Sequence, residues 1–498
     1  MTSIRLHRVE LDSLSLPEPK DWRAELEGRL RLGQRLVTLF GRTVDTGLAV
    51  TAVIQGADSS LEILRTCLDP ETGFHALTPE FPSLHCFERE LHEQYAVRIA
   101  GHPWLKPIRF EVTGRAARDA YPFYRIDGKE VHEVAVGPIH AGVIEPGSFR
   151  FMCLGERVHH LEIHLGYQHR GVERLLLRGD PRRLAPLVET ISGDASIAHA
   201  WAYCAAIESL ADVSIEPSIE GPRGVMLELE RIAMHFSGLS GMAADVGFLQ
   251  GASTYGRLRT TAINTTMRLC GSRFGRSAMR PAGLGAHLGK ASGTEVPGGA
   301  FHVEDLRGQL SLLRADAAIM DDCFLAARTV QHRLRNVGHL SRDQALQLGL
   351  VGMAARASGV PIDQRVGATG IYAEHPVAVV TEETGDCWAR ARLRIEEIRR
   401  SLDWIDAVVD RYPTWVGSQR SVGPLAPSCL VVAVCEGWRG EVVHCLETDA
   451  RGALAHYKVQ DPSLRNWLGL AIAVRENEIS DFPICNKSFD LSYCGNDL

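Results

Sequence analysis

The sequence predicts an α+β fold: a small α/β module over residues 1–120, fused to a mainly helical domain over residues 121–498 with a small antiparallel sheet. Three observations predict it. Strand-like and helix-like runs alternate before about residue 112. Gly and Pro punctuate period-two apolar segments between residues 136 and 166. Beyond Tyr167, long stretches repeat apolar residues at helical spacing.

In the first module "GLAVTAVIQ" (residues 47–55) reads as strand and "SLEILRTCL" (60–68) as helix. "CFERELHEQYAVRIAGHPWLKPIRF" (86–110) reads as a solvated charged helix, a strand-like "VRI", a Gly-His-Pro turn and a basic-apolar exit. A linker follows, "TGRAARDAYPFYRIDGKE". "VGPIHAGVIEPGSFRFMCLGERVHHLEIHLG" (136–166) supplies the small antiparallel sheet. In "GVMLELERIAMHFSGLSGMAADVGF", Leu227, Leu229, Ile232, Ala233, Phe236 and Leu239 share one helix face. Residues 303–334 and 387–412 read as two further long amphipathic helices. The tail returns to strand in "CLVVAVCEGWRGEVVHCLE" and "ARGALAHYKV" and ends in "NKSFDLSYCGNDL". A helical bundle with a small sheet at its edge accommodates these pieces.

Bulk composition narrows the function. A formal net charge of −7 supplies no basic field, which argues against nucleic acid as a partner. No run of about 18 apolar residues is present, so membrane association is expected to come through partner chains. The opening residues lack an apolar signal core, and a cytoplasmic location is expected. The 12 cysteines include no C-x-x-C pair, the usual nucleus of iron–sulfur clusters and structural zinc. The chain alone is therefore expected to hold no cluster, and most of its thiols read as small buried hydrophobes. No G-x-G-x-x-G loop follows a strand, so a dinucleotide is expected to bind elsewhere.

Longer motifs carry a resemblance. "ERELHEQYAVRIAGHPWL" resembles the signature of the smaller of two adjacent peripheral-arm subunits of respiratory complex I (the NADH-quinone oxidoreductase subunits C/D). "GPIHAG", "EPGSFRF", "LEIHLGYQHRGVERL" and "LERIAMHFSGLSGMAADVGF" resemble its larger neighbour. They are closer still to the large subunit of formate-hydrogenlyase and hydrogenase-4-type (group 4) nickel–iron hydrogenases, where the two modules are likewise fused. "LVGMAARASGVPIDQRV" and "ARGALAHY" extend the match over nearly the whole length.

The resemblance implies particular site residues. In the hydrogenases two C-x-x-C pairs hold nickel and iron, and soft thiolates are not readily replaced in that task. The first pair falls within "ETISGDASIAHAW", where Ser192 and Ala195 occupy the ligand positions and His199 is retained. The second falls within "SFDLSYCG", where Ser492 and Gly495 occupy them and Cys494 stands one place off register. The family frame is present without its four ligands, and no metal is expected there. A substitute site built from His199, Cys204, Cys485 and Cys494 is the weaker alternative. In complex I a histidine of the G-P-x-H hairpin and a tyrosine contact a quinone head group. The histidine corresponds to His140, and Leu187 stands where the tyrosine belongs. A histidine can donate to a carbonyl oxygen and deliver a proton near neutral pH. The R-G-x-E pattern supplies Glu173, preceded by His169 and Arg170, and Asp194 is a new acid inside the old ligand loop. The expectation is a polar cavity of His140, Glu173, Asp194 and His199, with His140, His169 and Arg170 towards a bound ligand. Quinone is the candidate ligand.

The resemblance also implies partners: a small iron–sulfur subunit, a ferredoxin-like iron–sulfur subunit and antiporter-like membrane subunits, with this chain peripheral on the cytoplasmic side of the inner membrane. Three functions follow. The chain is a redox subunit passing electrons from the partner's cluster to a quinone or another acceptor, a non-catalytic coupling subunit, or, least favoured, a hydrogenase with unusual ligands.

Overall fold

The computed structural model describes residues 2–111, 121, 123–140, 144–285, 303–413, 415 and 421–498, and part of the expected linker lies outside them. The N-terminal module holds a three-stranded antiparallel sheet of Arg35–Val44, Gly47–Gln55 and Leu61–Leu68. The helices Pro19–Arg31 and His85–Tyr95 accompany it. The segment expected as helix at 60–68 is therefore a strand. Its two faces are both covered: Leu61 packs with Val37 and Phe40 against Leu430 and Val432, and Leu68 joins Trp22 and Leu26 in the module's own core. Covering both faces removes the alternation that marks a half-exposed strand.

The charged helix His85–Tyr95 is not solvated. Glu88, Arg89 and Glu90 are buried, each with partners. Glu88 accepts from the Leu77 backbone N–H at 2.7 Å and the Thr78 hydroxyl at 2.5 Å. Glu90 pairs with Lys458 at 2.6 Å and with Arg109. Arg89 lies over the Trp104 ring, 4.5 Å from its centroid. Buried charge is tolerated where it is paired and hydrogen-bonded.

The first strand of the chain, Arg5–Glu10, adds antiparallel to Cys429–Glu436. It completes a four-stranded sheet with Glu441–Thr448 and Leu454–Gln460. Both ends of the chain thus meet in one sheet. The expected small antiparallel sheet is Val131–Val136, Ser148–Leu154 and Arg157–His164.

The helical core centres on Pro217–Asp245, which folds back on Leu249–Cys270. All six apolar positions expected on one face are buried, but so are Glu228, Arg231 and His235. Arg231 Nε meets Glu228 at 3.0 Å, and His235 Nε2 meets Glu397 at 2.7 Å. Arg356 bridges Glu397 and Glu436, each at 2.7 Å. This network lets a helix with an amphipathic sequence be enclosed on all sides. The helix expected over 303–334 breaks at Ala327, whose ψ of 110° is extended, into Val303–Ala326 and Arg328–Leu334. Cys387–Arg411 forms as expected.

Candidate functional site where two distant loops meet

The stretch 189–195 leads into the fully enclosed helix Ser196–Leu210. Its N-cap position is Ala195, which offers no side-chain acceptor. Glu230 of the central helix replaces that function, accepting from the backbone N–H of Ile197 at 2.8 Å and Ala198 at 3.4 Å. Burial pushes the Glu230 carboxyl up to about 8, although these two N–H groups pull the other way. At neutral pH it therefore holds a proton directly beneath the loop.

The second stretch ends the chain in the short helix Tyr493–Asp497, capped by Ser492, whose hydroxyl accepts from the Gly495 N–H at 2.9 Å. The fold brings the two stretches together, with Ser192 Oγ and Ser492 Oγ 3.0 Å apart. Ser192 donates to Asp194 Oδ1 at 2.9 Å. Arg439 grips the Asp194 carboxylate through both terminal nitrogens, at 2.7 and 2.6 Å. Burial would raise the Asp194 carboxyl, but Arg439 and the Ser192 hydroxyl hold it below its ordinary value. The Arg439 guanidinium also lies 3.9 Å from the centre of the Trp438 ring, and Trp438 Nε1 donates to the Asp194 backbone oxygen at 2.9 Å. Cys494 Sγ is 3.4 Å from Ser492 Oγ.

Gly495 has no room for a side chain: a Cβ built there would lie 2.5–2.9 Å from the Asp461 carboxyl group. Asp461 Oδ2 is 3.3 Å from His199 Nε2, His199 Nδ1 is 3.0 Å from His444 Nε2, and His444 Nδ1 is 2.8 Å from Tyr457 Oη. Burial would raise Asp461, but the His199 hydrogen bond holds it low. An ionised Asp461 fixes the direction of this chain: His199 Nε2–H donates to Asp461, His444 Nε2–H donates to His199, and the Tyr457 hydroxyl donates to His444.

The remaining expected residues lie around these loops. Arg170 straps both stretches, donating to the carbonyls of Thr190 at 2.6 Å, Ile191 at 3.0 Å and Cys494 at 3.1 Å. His169 Nδ1 lies 2.8 Å from the Asp497 backbone oxygen. Glu173 belongs to a different cluster, accepting from the Val459 N–H at 2.9 Å and pairing with Lys458 at 3.0 Å. His140, half-buried, turns Nε2 towards the Gly147 carbonyl at 2.8 Å. Its hairpin touches the C-terminal loop: a Cβ on Gly147 would meet the Tyr493 ring at 2.4 Å, and Glu145 accepts from the Tyr493 N–H at 3.3 Å. Residues 141–143 of that hairpin lie outside the described residues. Leu187 packs, half-buried, against the main core. Cys485 sits beside Cys387, away from His199, since a Cβ on Gly338 would contact both sulfurs.

The structure thus joins Ser192, Asp194 and Ser492 around Arg439 and sets His199 just behind them. Arg439, Asp461, His444 and Glu230 had not been singled out in the sequence. Arg439 lies in the Gly-flanked "GWRGE" turn between two strands, and Glu230 stands among the charges Glu228 and Arg231 of the central helix, where nothing in the sequence sets it apart. The groups at the meeting point are two hydroxyls, a carboxylate and a guanidinium, with the Cys494 thiol beside Ser492, and among the described residues no three His, Cys, Asp or Glu side chains are grouped to hold a metal. Among the described residues no helix is long and apolar enough to cross a membrane.

The chain is similar to subunits of NADH dehydrogenases and of membrane-bound hydrogenases. Residues 245–425 match the family described as respiratory-chain NADH dehydrogenase, 49 Kd subunit. Hydrogenase-4 component G of Escherichia coli is 25% identical over 495 residues, covering 93% of this chain and 83% of that protein. Membrane-bound hydrogenase subunit alpha of Pyrococcus furiosus is 26% identical over 379 residues, 72% of this chain and 85% of the relative. The fold is that of a chain in the membrane-bound sulfane sulfur reductase, an archaeal respiratory membrane complex. It has a TM-score of 0.67, 20% identity, and coverage of 75% of this chain and 100% of that one.

Proposed function

We propose that this chain is the peripheral large subunit of a membrane-bound, ion-translocating oxidoreductase complex, and that it works without a nickel–iron centre. The observation that carries the second part is the filled meeting point of the two loops. Ser192 and Ser492 hydrogen-bond to each other, Arg439 neutralises Asp194, and Asp461 occupies the ground beneath Gly495. Electrons would reach the site from an iron–sulfur cluster in a small partner subunit, and a quinone or a similar carbonyl-bearing acceptor would receive them.

His140 is the group assigned to the acceptor. With Nε2–H donated to the Gly147 carbonyl, neutral His140 has only an acceptor at Nδ1. It can therefore donate to an acceptor oxygen only as imidazolium, and on releasing that proton it returns to a tautomer already held by Gly147. Proton delivery and positioning thus reside in one residue. Leu187, standing where the resemblance puts a tyrosine donor, favours a second reading: a coupling subunit that keeps the interfaces without redox chemistry of its own.

The deciding experiment is elemental analysis of the complex purified with its small iron–sulfur partner, followed by titration with a quinone-analogue inhibitor. Iron without nickel, with saturable inhibition lost in His140→Gln, is the expected result. Iron without nickel and no inhibition selects the coupling reading. One nickel per chain overturns the proposal.

A further inference from the structure

Apart from the loop site, the structure holds a cavity of about 370 Å³. It sits between the N-terminal module and the sheet and helix of the larger domain, and Asn496 is part of its wall. Its volume falls in the range of small-molecule sites, at the low end. Three features give it chemical character.

The first is an aromatic and aliphatic lining. Trp104 and Trp467 are part of the wall, together with Ile108, Leu161 and Leu464. The second is an excess of positive charge. Arg89, Lys106 and Arg475 face the space against one carboxylate, Glu162. Lys106 spends its ammonium on Glu162 at 2.8 Å and on the Ile163 carbonyl at 3.1 Å. Even so, burial outweighs Glu162 and lowers Lys106 to about 8, and burial likewise lowers Arg89 to about 10. The counter-charge present does not compensate the cations buried here. The third feature is access: Trp104 keeps 37% exposure, so a ligand can reach the aromatic wall from solvent.

We propose that this cavity is a binding site for a small aromatic anion. The ring would lie against Trp104 and Trp467, and the anionic group would face the Lys106–Arg89 side. Such a ligand supplies what the cavity lacks: apolar area and one negative charge. This site is separate from the acceptor position assigned to His140, and it stands or falls independently of that reading.

The test uses the full chain and two fluorescent probes with the same ring system, 8-anilinonaphthalene-1-sulfonate and the uncharged N-phenyl-1-naphthylamine. The expected result is saturable one-site binding of the sulfonate, with the neutral probe weaker by about tenfold, the worth of one charge-assisted contact. Trp104→Ala should weaken the sulfonate, and so should the double change Lys106→Met with Glu162→Gln, which removes the pair together and leaves no lone buried charge. Arg475 is exposed, so Arg475→Gln leaves the fold intact and still lowers affinity for the sulfonate. Equal binding of the two probes, no saturable binding of the sulfonate, or affinity unchanged in both Trp104→Ala and Arg475→Gln would overturn the proposal.

Discussion

At the scale of single residues, the loops are held by one ion pair and one absent side chain. Arg439 is buried, with 5% of its side chain exposed, whereas Asp194 keeps 36% exposure. Replacing Asp194 with Asn leaves a buried guanidinium without its counter-charge. The cost is expected at ~2 kcal/mol, below the 3–5 kcal/mol of a fully enclosed pair because solvent reaches the carboxylate. A lowered melting temperature of the purified chain is the measurement, and no shift in Asp194→Asn would show the pair to be ornamental. Gly495→Ala is the complementary change. Its methyl group would sit 2.5 Å from the Asp461 carboxyl carbon, so a loss of ~1–3 kcal/mol is expected. Shortening Asp461 in the same chain should reduce that loss, and a double-mutant cycle with no coupling would contradict the contact. Ser192, Ala195, Ser492 and Gly495 were named from the sequence as the positions the resemblance assigns to ligands. Arg439 and Asp461 were not, because they lie in a turn between two strands and just after the last strand, 245 residues beyond Asp194 and 262 beyond His199, and meet the site only through the fold.

At the scale of the element, the helix Ser196–Leu210 begins without a cap of its own and takes one from a neighbour. Glu230 rises to about 8 in the folded chain, above its ordinary 4.5. The folded state therefore binds an extra proton between those values. Its contribution to stability is fully present below pH 4.5 and is lost as pH climbs towards 8. Glu230→Gln keeps one acceptor oxygen, for the Ile197 N–H, and cannot ionise. Thermal unfolding followed from pH 5 to 8 should fall more steeply in the parent than in this variant, and parallel curves would count against the assignment. The elements themselves were mostly legible. Residues 47–55 and 387–411 read correctly because their patterns are long and their flanks clear. Residues 61–68 read as helix because both faces of the strand are buried and the period-two signal is gone. The solvated reading of the helix His85–Tyr95 failed for a related reason: sequence shows charges, and only packing shows whether partners exist to bury them with.

At the scale of the molecule, buried ion pairs join the N-terminal module to the C-terminal sheet. Arg65 meets both oxygens of Glu447 at 3.0 Å, Arg42 meets it at 2.6 Å, and Arg35 meets Glu441 at 2.6 Å. Glu447→Gln leaves buried Arg65 uncompensated, and ~3 kcal/mol of stability is expected to go with it. The junction should weaken before either core does, so calorimetry is expected to resolve two transitions in the variant where the parent shows one. A single transition at the parent's temperature would show that these charges do not join the units. Removing residues 1–17 should have a different outcome. It exposes the apolar edge strand Cys429–Glu436, and light scattering should report aggregation at concentrations where the full chain stays monodisperse.

The sequence by itself determined the fold class and the resemblance, and its motif register puts Ser192, Ala195, Ser492 and Gly495 forward as the replaced thiolate positions, since local periodicity and motif register are written along the chain. Only the tertiary structure decided what fills the ground those thiolates would occupy. Ser192 meets Ser492, Asp194 meets Arg439 and Asp461 lies under Gly495 across gaps of 245 to 300 residues for the first two pairs and across a chain reversal for the third. The physical reason is that a buried charge is stable only beside its partner, and which partner arrives depends on strand register and helix packing rather than on any neighbour in sequence.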